Sequence, residues 1–386
     1  MSDLSCDATS WIINSLLNIG NLMTRFVTVN RGIVGIIFAC LNGAAYPAIV
    51  TAASVDAAKV NTASVNEERH SLGLDWKAPL ALDHPLTGAI YDSRGVLTPE
   101  ALGLRMGDSR YLLIGEKHDN VDHHQLELYL LELLVKSPAV GDTAVGDTAV
   151  GNTAIENSVP SVAIALEMLD SSQQTKINSV AKQLKADNTG IDAAELKRRL
   201  DWPERGWPWS DYAAIIGWTF ARQIPLYAGN ISRQTMRTVH QNGLDDRFQS
   251  ARQLRSTLRD SILDQVFDGH CGLLAKDSLA PMLDIQLAKD SAMANAMANA
   301  LASTDAKQSV LIAGTGHTRK DTGVPKHLRL VGAEPVLSIA LIEVDPEKRK
   351  VSDYDLFDQY DVVIFTPVAN QRDYCAEFKK SMQNNK

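Results

Sequence analysis

The chain is poor in the features that would assign it to several common classes. Its 386 residues contain four cysteines, Cys6, Cys40, Cys271 and Cys375, with no Cys-x-x-Cys spacing, which excludes a zinc ribbon or thioredoxin-type motif. No run of Lys and Arg is long, and the net charge is −8, which argues against nucleic acid as a partner. No apolar run has the length of a confident membrane span. What remains is ordinary globular composition, 45% apolar and 22% charged, with enough chain for one large domain or two small ones.

The N-terminal 45 residues read as an export signal. Arg25 and Arg31 form a basic region ahead of the apolar residues 33–40, and the small residues Gly43, Ala44 and Ala45 follow. The residues before Met23 are unusual for a signal, so Met23 is an alternative start to Met1. Ile37-Phe38-Ala39-Cys40 is similar to a lipobox, in which Cys40 would be lipidated after cleavage, although Phe38 is bulky for that motif. Cleavage near Ala45, or an uncleaved apolar helix, are the alternatives. Residues 46–79 read as a tether, 80–378 as one domain, and 379–386 as a polar tail. Within the domain, Ala139-Val140-Gly141-Asp142-Thr143 recurs from Ala144 and from Ala149. Units this short bury no core, so 139–158 is expected to be an expanded surface loop.

Short apolar runs at 111–114, 162–166, 225–228, 310–313, 336–342 and 362–365 predict strands buried on both faces. Helical patterns lie between them at 124–136, 171–184, 192–200, 211–222, 251–266 and 279–301. Alternating strands and helices predict an α/β fold, a mainly parallel sheet with helices on both faces. Residues 230–302 carry only helical patterns and are expected to form an adjoining helical lobe.

Two of the predicted strands run into matching signatures. The first is followed by Gly115-Glu116-Lys117-His118 and the second by Gly314-Thr315-Gly316-His317, about two hundred residues later. Gly permits a sharp turn, and ligands of open α/β sheets bind beyond the carboxyl ends of the strands. Both histidines are therefore expected at one site, where imidazole suits metal, haem or acid–base work. The other strand ends supply Glu167 and Asp170, Asn230, and Arg319, Lys320 and Asp321. Such a set has the composition of a metal or hydrolytic site. Glu116 is a candidate metal ligand or general base, or a cap of the following helix, a role for which Asp119 competes. Glu167 interrupts an apolar strand and needs a partner; Arg319 is a candidate for that ion pair or for an anionic ligand. His123 and His124 are expected to be solvated or capping. Trp202, Trp207 and Trp209, three of six tryptophans, sit close together and predict a flat apolar surface. Tyr212 follows them, either packing or offering a phenolate to ferric iron.

Taken in order, the Leu113–Asn120 run, Ala165-Leu166-Glu167-Met168, Trp207-Pro208-Trp209-Ser210-Asp211-Tyr212, Ala228-Gly229-Asn230, His270-Cys271-Gly272 and the stretch from Ala313 through His317 to Pro325 resemble the ChaN family of haem-binding lipoproteins, which belongs with Tiki-type proteases and erythromycin esterases. The five-residue repeat is an insertion relative to that pattern. The resemblance implies a non-enzymatic haem binder serving iron uptake, exported to the periplasm or anchored by lipid at the outer membrane, with an outer-membrane haem or iron uptake system as a partner and two protomers meeting around haem. It implies iron ligation by Tyr212, with His118 or His317 as second ligand or hydrogen-bond partner, Arg319 on a propionate, and Trp207, Trp209 and Asn230 lining the pocket. The rival it carries is a Tiki-type hydrolase, with Glu116, His118, Glu167 and His317 around a divalent metal. Cys271 and Cys375 remain once a leader is removed, and export permits a disulfide between them.

Overall fold

A computed structural model describes Leu72 and residues 74–136, 161–187 and 190–384. The export signal with Cys40, the tether up to residue 71, the five-residue repeat and the last two residues lie outside the described residues.

Among the described residues the strands are β1 (Ile90–Asp92), β2 (Gly95–Leu97), β3 (Tyr111–Glu116), β4 (Val162–Asp170), β5 (Leu226–Asn230), β6 (Gln308–Gly314), β7 (Val336–Glu343) and β8 (Val362–Thr366). They form one sheet in the order β2-β1-β8-β7-β3-β6-β4-β5. β1 is antiparallel to both neighbours, and the other pairs are parallel. The fold is therefore α/β with a mainly parallel sheet. The β1–β2 hairpin is an addition to the sequence reading. Its strands have three residues each, too short to show a period.

Every residue of β3 and of β6 is buried, because helices cover both faces. Alternate side chains go to opposite sides. Leu112 and Ile114 join a cluster with Leu126, Leu130 and Leu134 of helix Val121–Lys136 and with Ile215 and Ile216 of helix Trp209–Ala221. Leu113 joins Leu311, Met293, Ala294 and Met297, the last three from helix Ala280–Ser303, and Leu328 of helix Val324–Leu330. Each such aliphatic side chain contributes roughly 1.5–3 kcal/mol when removed from water. Between β5 and β6 the described elements are all helical, and Val239, Phe248, Ile262, Leu279 and Leu283 form a third cluster among them.

Chain order fixes where a ligand would bind. After β3 the chain moves toward β4 and β5; after β6, which lies beside β3, it moves the opposite way to β7 and β8. The adjacent pairs whose connections diverge are therefore β7–β3 and β6–β4, on either side of the β3–β6 contact, and diverging connections leave a crevice at the carboxyl ends of the strands. Both Gly-x-x-His signatures begin at these ends.

Residues 379–384 of the expected polar tail are helical, as part of helix Tyr374–Asn384. It is tied down at its start. Cys375 is disulfide-bonded to Cys271, with Cα atoms 5.6 Å apart, and the Tyr374 hydroxyl donates to Asp119.

Candidate functional site

Glu116 and Gly314 face each other in the β3–β6 register, so the two signatures leave the sheet side by side. Each glycine makes room for the other signature. A Cβ on Gly115 would collide with Thr318 Oγ1, and one on Gly314 would stand 2.8 Å from His118 Nε2. Both contacts are closer than real side chains pack.

The two imidazoles meet over one carboxylate. Nδ1 of His118 lies 2.8 Å from Glu116 Oε1, and its Nε2 lies 3.8 Å from Glu167 Oε2. Nδ1 of His317 lies 2.5 Å from Asp290 Oδ1, and its Nε2 lies 3.2 Å from Glu167 Oε1. Each ring is thus held by an acid at Nδ1 and presents Nε2 to Glu167. Glu167 Oε2 also accepts the Gly314 N–H at 2.9 Å, and Lys289 Nζ is 3.4 Å from Oε1. Burial disfavours the Glu167 anion, but His317, Lys289 and His118 outweigh it and hold the carboxyl well below its usual range. Burial likewise disfavours the His317 cation, and Glu167 followed by Asp290 reverses this, raising it to about 9. The His118 and His317 side chains are 9% and 10% exposed, so this pair reaches the rim.

A second layer lies beneath. Glu116 is fully buried, and the Tyr212 hydroxyl donates to its Oε1 at 2.8 Å. Its Oε2 is 3.0 Å from His124 Nδ1, which is also 3.6 Å from Glu127 Oε2. Burial opposes the Glu116 anion, but His124 and His118 overcome this and hold the carboxyl well below its usual range. For His124, burial opposes the cation, and Glu116 and then Glu127 raise it to about 11. Burial and the Glu116 charge push the Glu127 carboxyl well above its usual range. One ligand atom each from Glu116, His124 and Glu127 fits within a 4.8 Å span, a geometry able to hold a metal ion.

His123 and His124 are buried rather than solvated or merely capping. Nδ1 of His123 accepts the Lys117 N–H at 2.8 Å, and Nε2 lies 2.9 Å from Thr366 Oγ1. Burial drives its pKa down to about 3. This neutral ring pins the turn that carries His118. Tyr212 is also fully buried, not at an exposed helix end, because helix Trp209–Ala221 starts three residues earlier. Burial and Glu116 push its phenol well above the usual range.

Trp207 and Trp209 are half-buried against the main core. Trp207 packs edge-on to His118 with ring centroids 4.6 Å apart, and Trp209 packs on Trp202 at 5.2 Å. Asn230 braces the strand ends: its Nδ2 donates to the Glu167 carbonyl at 3.1 Å. Arg319 is not the partner of Glu167. Its guanidinium forks onto Asp321 at 3.0 and 2.7 Å, while His317 and Lys289 take the place expected of it. Asp170 caps the turn after β4.

Four members of the site were misjudged or missed by sequence reasoning: His124, read as solvated or capping, and Glu127, Lys289 and Asp290, which were not singled out. A signal existed for three of them. His124, Glu127 and Leu131 fall on one helix face at i, i+3 and i+7, and Leu283, Leu287, Asp290, Ala294 and Met297 follow the same kind of spacing. A charged residue on an apolar stripe is a buried group awaiting a partner.

The family described as haem-binding uptake, Tiki superfamily, ChaN matches residues 104–328, more than half of the chain. Among solved structures, that of cofacial haem binding to ChaN of Campylobacter jejuni matches with a TM-score of 0.52 at 21% identity, covering 71% of this chain and 95% of that one. This likeness concerns the fold. A mutant of the erythromycin esterase EreC in its open conformation matches with a TM-score of 0.40 at 13% identity, covering 78% of this chain and 100% of that one. Among curated proteins none matches.

Proposed function

Because the chain belongs to the haem-binding ChaN family of the Tiki superfamily, we propose that haem docks at the rim where β3, β4 and β6 end, as cargo for iron acquisition. The observation that carries this reading is the placement of the two solvent-touching imidazoles over Glu167, with His118 packed on half-buried Trp207. An apolar aromatic wall beside an imidazole fits a porphyrin and its iron.

His118 and Tyr212 are the proposed iron ligands, and they differ in cost. His118 stands at the rim, 9% exposed, with Trp207 packed edge-on to its ring. Tyr212 is buried with its hydroxyl committed to Glu116, so its phenolate reaches iron only if the Trp207–Trp209 segment swings aside and the proton is lost. His317 serves as second ligand or as support through Glu167. A propionate would replace Asp321 on Arg319. Export, with a lipid on Cys40 or cleavage near Ala45, is part of the same proposal, as are an outer-membrane uptake partner and a homodimer around haem. The Cys271–Cys375 disulfide supports an oxidising compartment, and no helix among the described residues is long and apolar enough to cross a membrane.

Haemin titration tests the reading. The wild type is expected to give a saturable Soret shift, His118→Ala to weaken it at least tenfold, and Tyr212→Phe to move the band. An unchanged Tyr212→Phe spectrum removes Tyr212 from the ligand set. No Soret change in the wild type refutes haem binding at this rim.

One observation favours a second reading. Two histidines, each backed by an acid and both turned to Glu167, form a constellation that also suits a divalent metal and hydrolysis of a peptide or ester. In that case Glu116, His118, Glu167 and His317 are the working residues, and His118→Ala and His317→Ala abolish both metal retention and turnover.

A further inference from the structure

The layer beneath the rim does not close its hydrogen bonding. Nε2 of His124 lies 3.2 Å from the His118 carbonyl oxygen. A carbonyl only accepts, so Nε2 carries a proton; without a second proton on Nδ1, the form that Glu116 and Glu127 otherwise favour, Nδ1 is a lone pair. That lone pair faces Glu116 Oε2 at 3.0 Å and Glu127 Oε2 at 3.6 Å, and both of these are acceptors too. None of these atoms takes part in a hydrogen bond, nor does Glu127 Oε1, and all are buried. Acceptors converging in a protein interior need a proton or a metal cation between them.

We propose that Glu116, His124 and Glu127 form a buried binding site for one first-row divalent cation of the zinc or manganese class, separate from the rim pair at Glu167. The required ligand atoms lie within 4.8 Å of one another, a span that accommodates metal bonds of about 2.0–2.2 Å. One imidazole with two carboxylates is a donor set for zinc, manganese or ferrous iron. The surroundings are also those of a metal-bound histidine: the second ring nitrogen donates to a backbone carbonyl, which fixes the tautomer and aims the ligand nitrogen. The Tyr212 hydroxyl engages Glu116 Oε1 and leaves Oε2 turned inward. Neither oxygen of Glu127 has another use. The ion would clamp helix Val121–Lys136 to the tip of β3, and through Glu116 it would set the position of His118. A proton, on His124 Nδ1 or on Glu127, is the competing occupant.

The site stands apart from the haem reading, and the full chain tests it without haem. Chelator-stripped protein is titrated with Co²⁺ as probe, followed by its visible absorption, for the wild type, Glu127→Gln and His317→Ala. X-ray absorption on the cobalt-loaded wild type counts imidazoles. The expected results are one equivalent of cobalt, one imidazole in its shell, affinity at least tenfold weaker in Glu127→Gln, and binding retained in His317→Ala. The imidazole count rests on wild-type protein and holds even if a variant fails to fold. Three results overturn the site: no cobalt bound by the wild type, two imidazoles in the shell, or binding lost in His317→Ala while Glu127→Gln retains it. Haemin titration of the same samples reports separately, so loss of one reading leaves the other measurable.

Discussion

Asp290→Asn isolates the electrostatics of the rim. In the folded protein His317 is held at about 9, against roughly 6.5 when unfolded. A raised folded value stabilises fully below the unfolded pKa, and that contribution is lost as pH rises through the folded one. At about 1.36 kcal/mol per unit, the full contribution is about 3 kcal/mol. Burial lowers the His317 pKa; Glu167 is the larger of the opposing influences and Asp290 the second. Asparagine preserves an acceptor for Nδ1–H and removes only the charge, so it forfeits the smaller share, roughly 1–1.5 kcal/mol. Urea unfolding monitored by tryptophan fluorescence, with chelator present, between pH 6 and pH 9.5 reads this directly. The variant is expected to be less stable at pH 6–7 and to converge on the wild type above pH 9, where both hold His317 neutral. A stability loss that is constant with pH, or that grows as pH rises, refutes the assigned coupling.

Two further outcomes are expected. Gly314→Ala places a methyl group 2.8 Å from His118 Nε2; overpacking of this kind costs about 1–3 kcal/mol, and the displaced ring is expected to reproduce the haemin spectrum of His118→Ala, with a normal spectrum counting against the packing argument. For the disulfide, thiol titration of denatured protein is expected to find two fewer thiols before reduction than after, and Cys271→Ser with Cys375→Ser to lower the urea midpoint. The bond spans a separation of 104 residues, and closing such a loop stabilises by about 2–4 kcal/mol.

The sheet was legible because its central strands are buried on both faces, and apolar runs such as 111–114 and 310–313 report that burial directly. The β1–β2 hairpin was not, since three-residue strands carry no period and β1 ends in a buried acid, Asp92, paired with Arg94 and Arg105. At the site, residues at strand ends could be read because chain topology places them. Glu116, His118, Glu167 and His317 do come together. Residues arriving on helices were misjudged. His123, His124 and Tyr212 look like surface groups from their position near helix starts, yet helix Val121–Lys136 and helix Trp209–Ala221 enter the core by their first turns. Local charge proximity explains Arg319: Asp321, two residues away, captures it before a distant carboxylate can.

The mutual accommodation of the two Gly-x-x-His signatures bears on how such a protein can change over time. Because the bare backbone at position 115 serves Thr318, and that at 314 serves His118, a substitution in either segment is judged by what already occupies the other. Effects at 115 and 318, or at 314 and 118, are therefore coupled rather than independent. A shrunken residue at 318 would relieve the severest clash of a methyl at 115, leaving the tight approach of the Thr315 backbone at 3.0 Å. Lineages would be expected to keep both segments or to rewrite both, and a descendant that abandoned His118 would soon be free to lose Gly314 across the crevice as well.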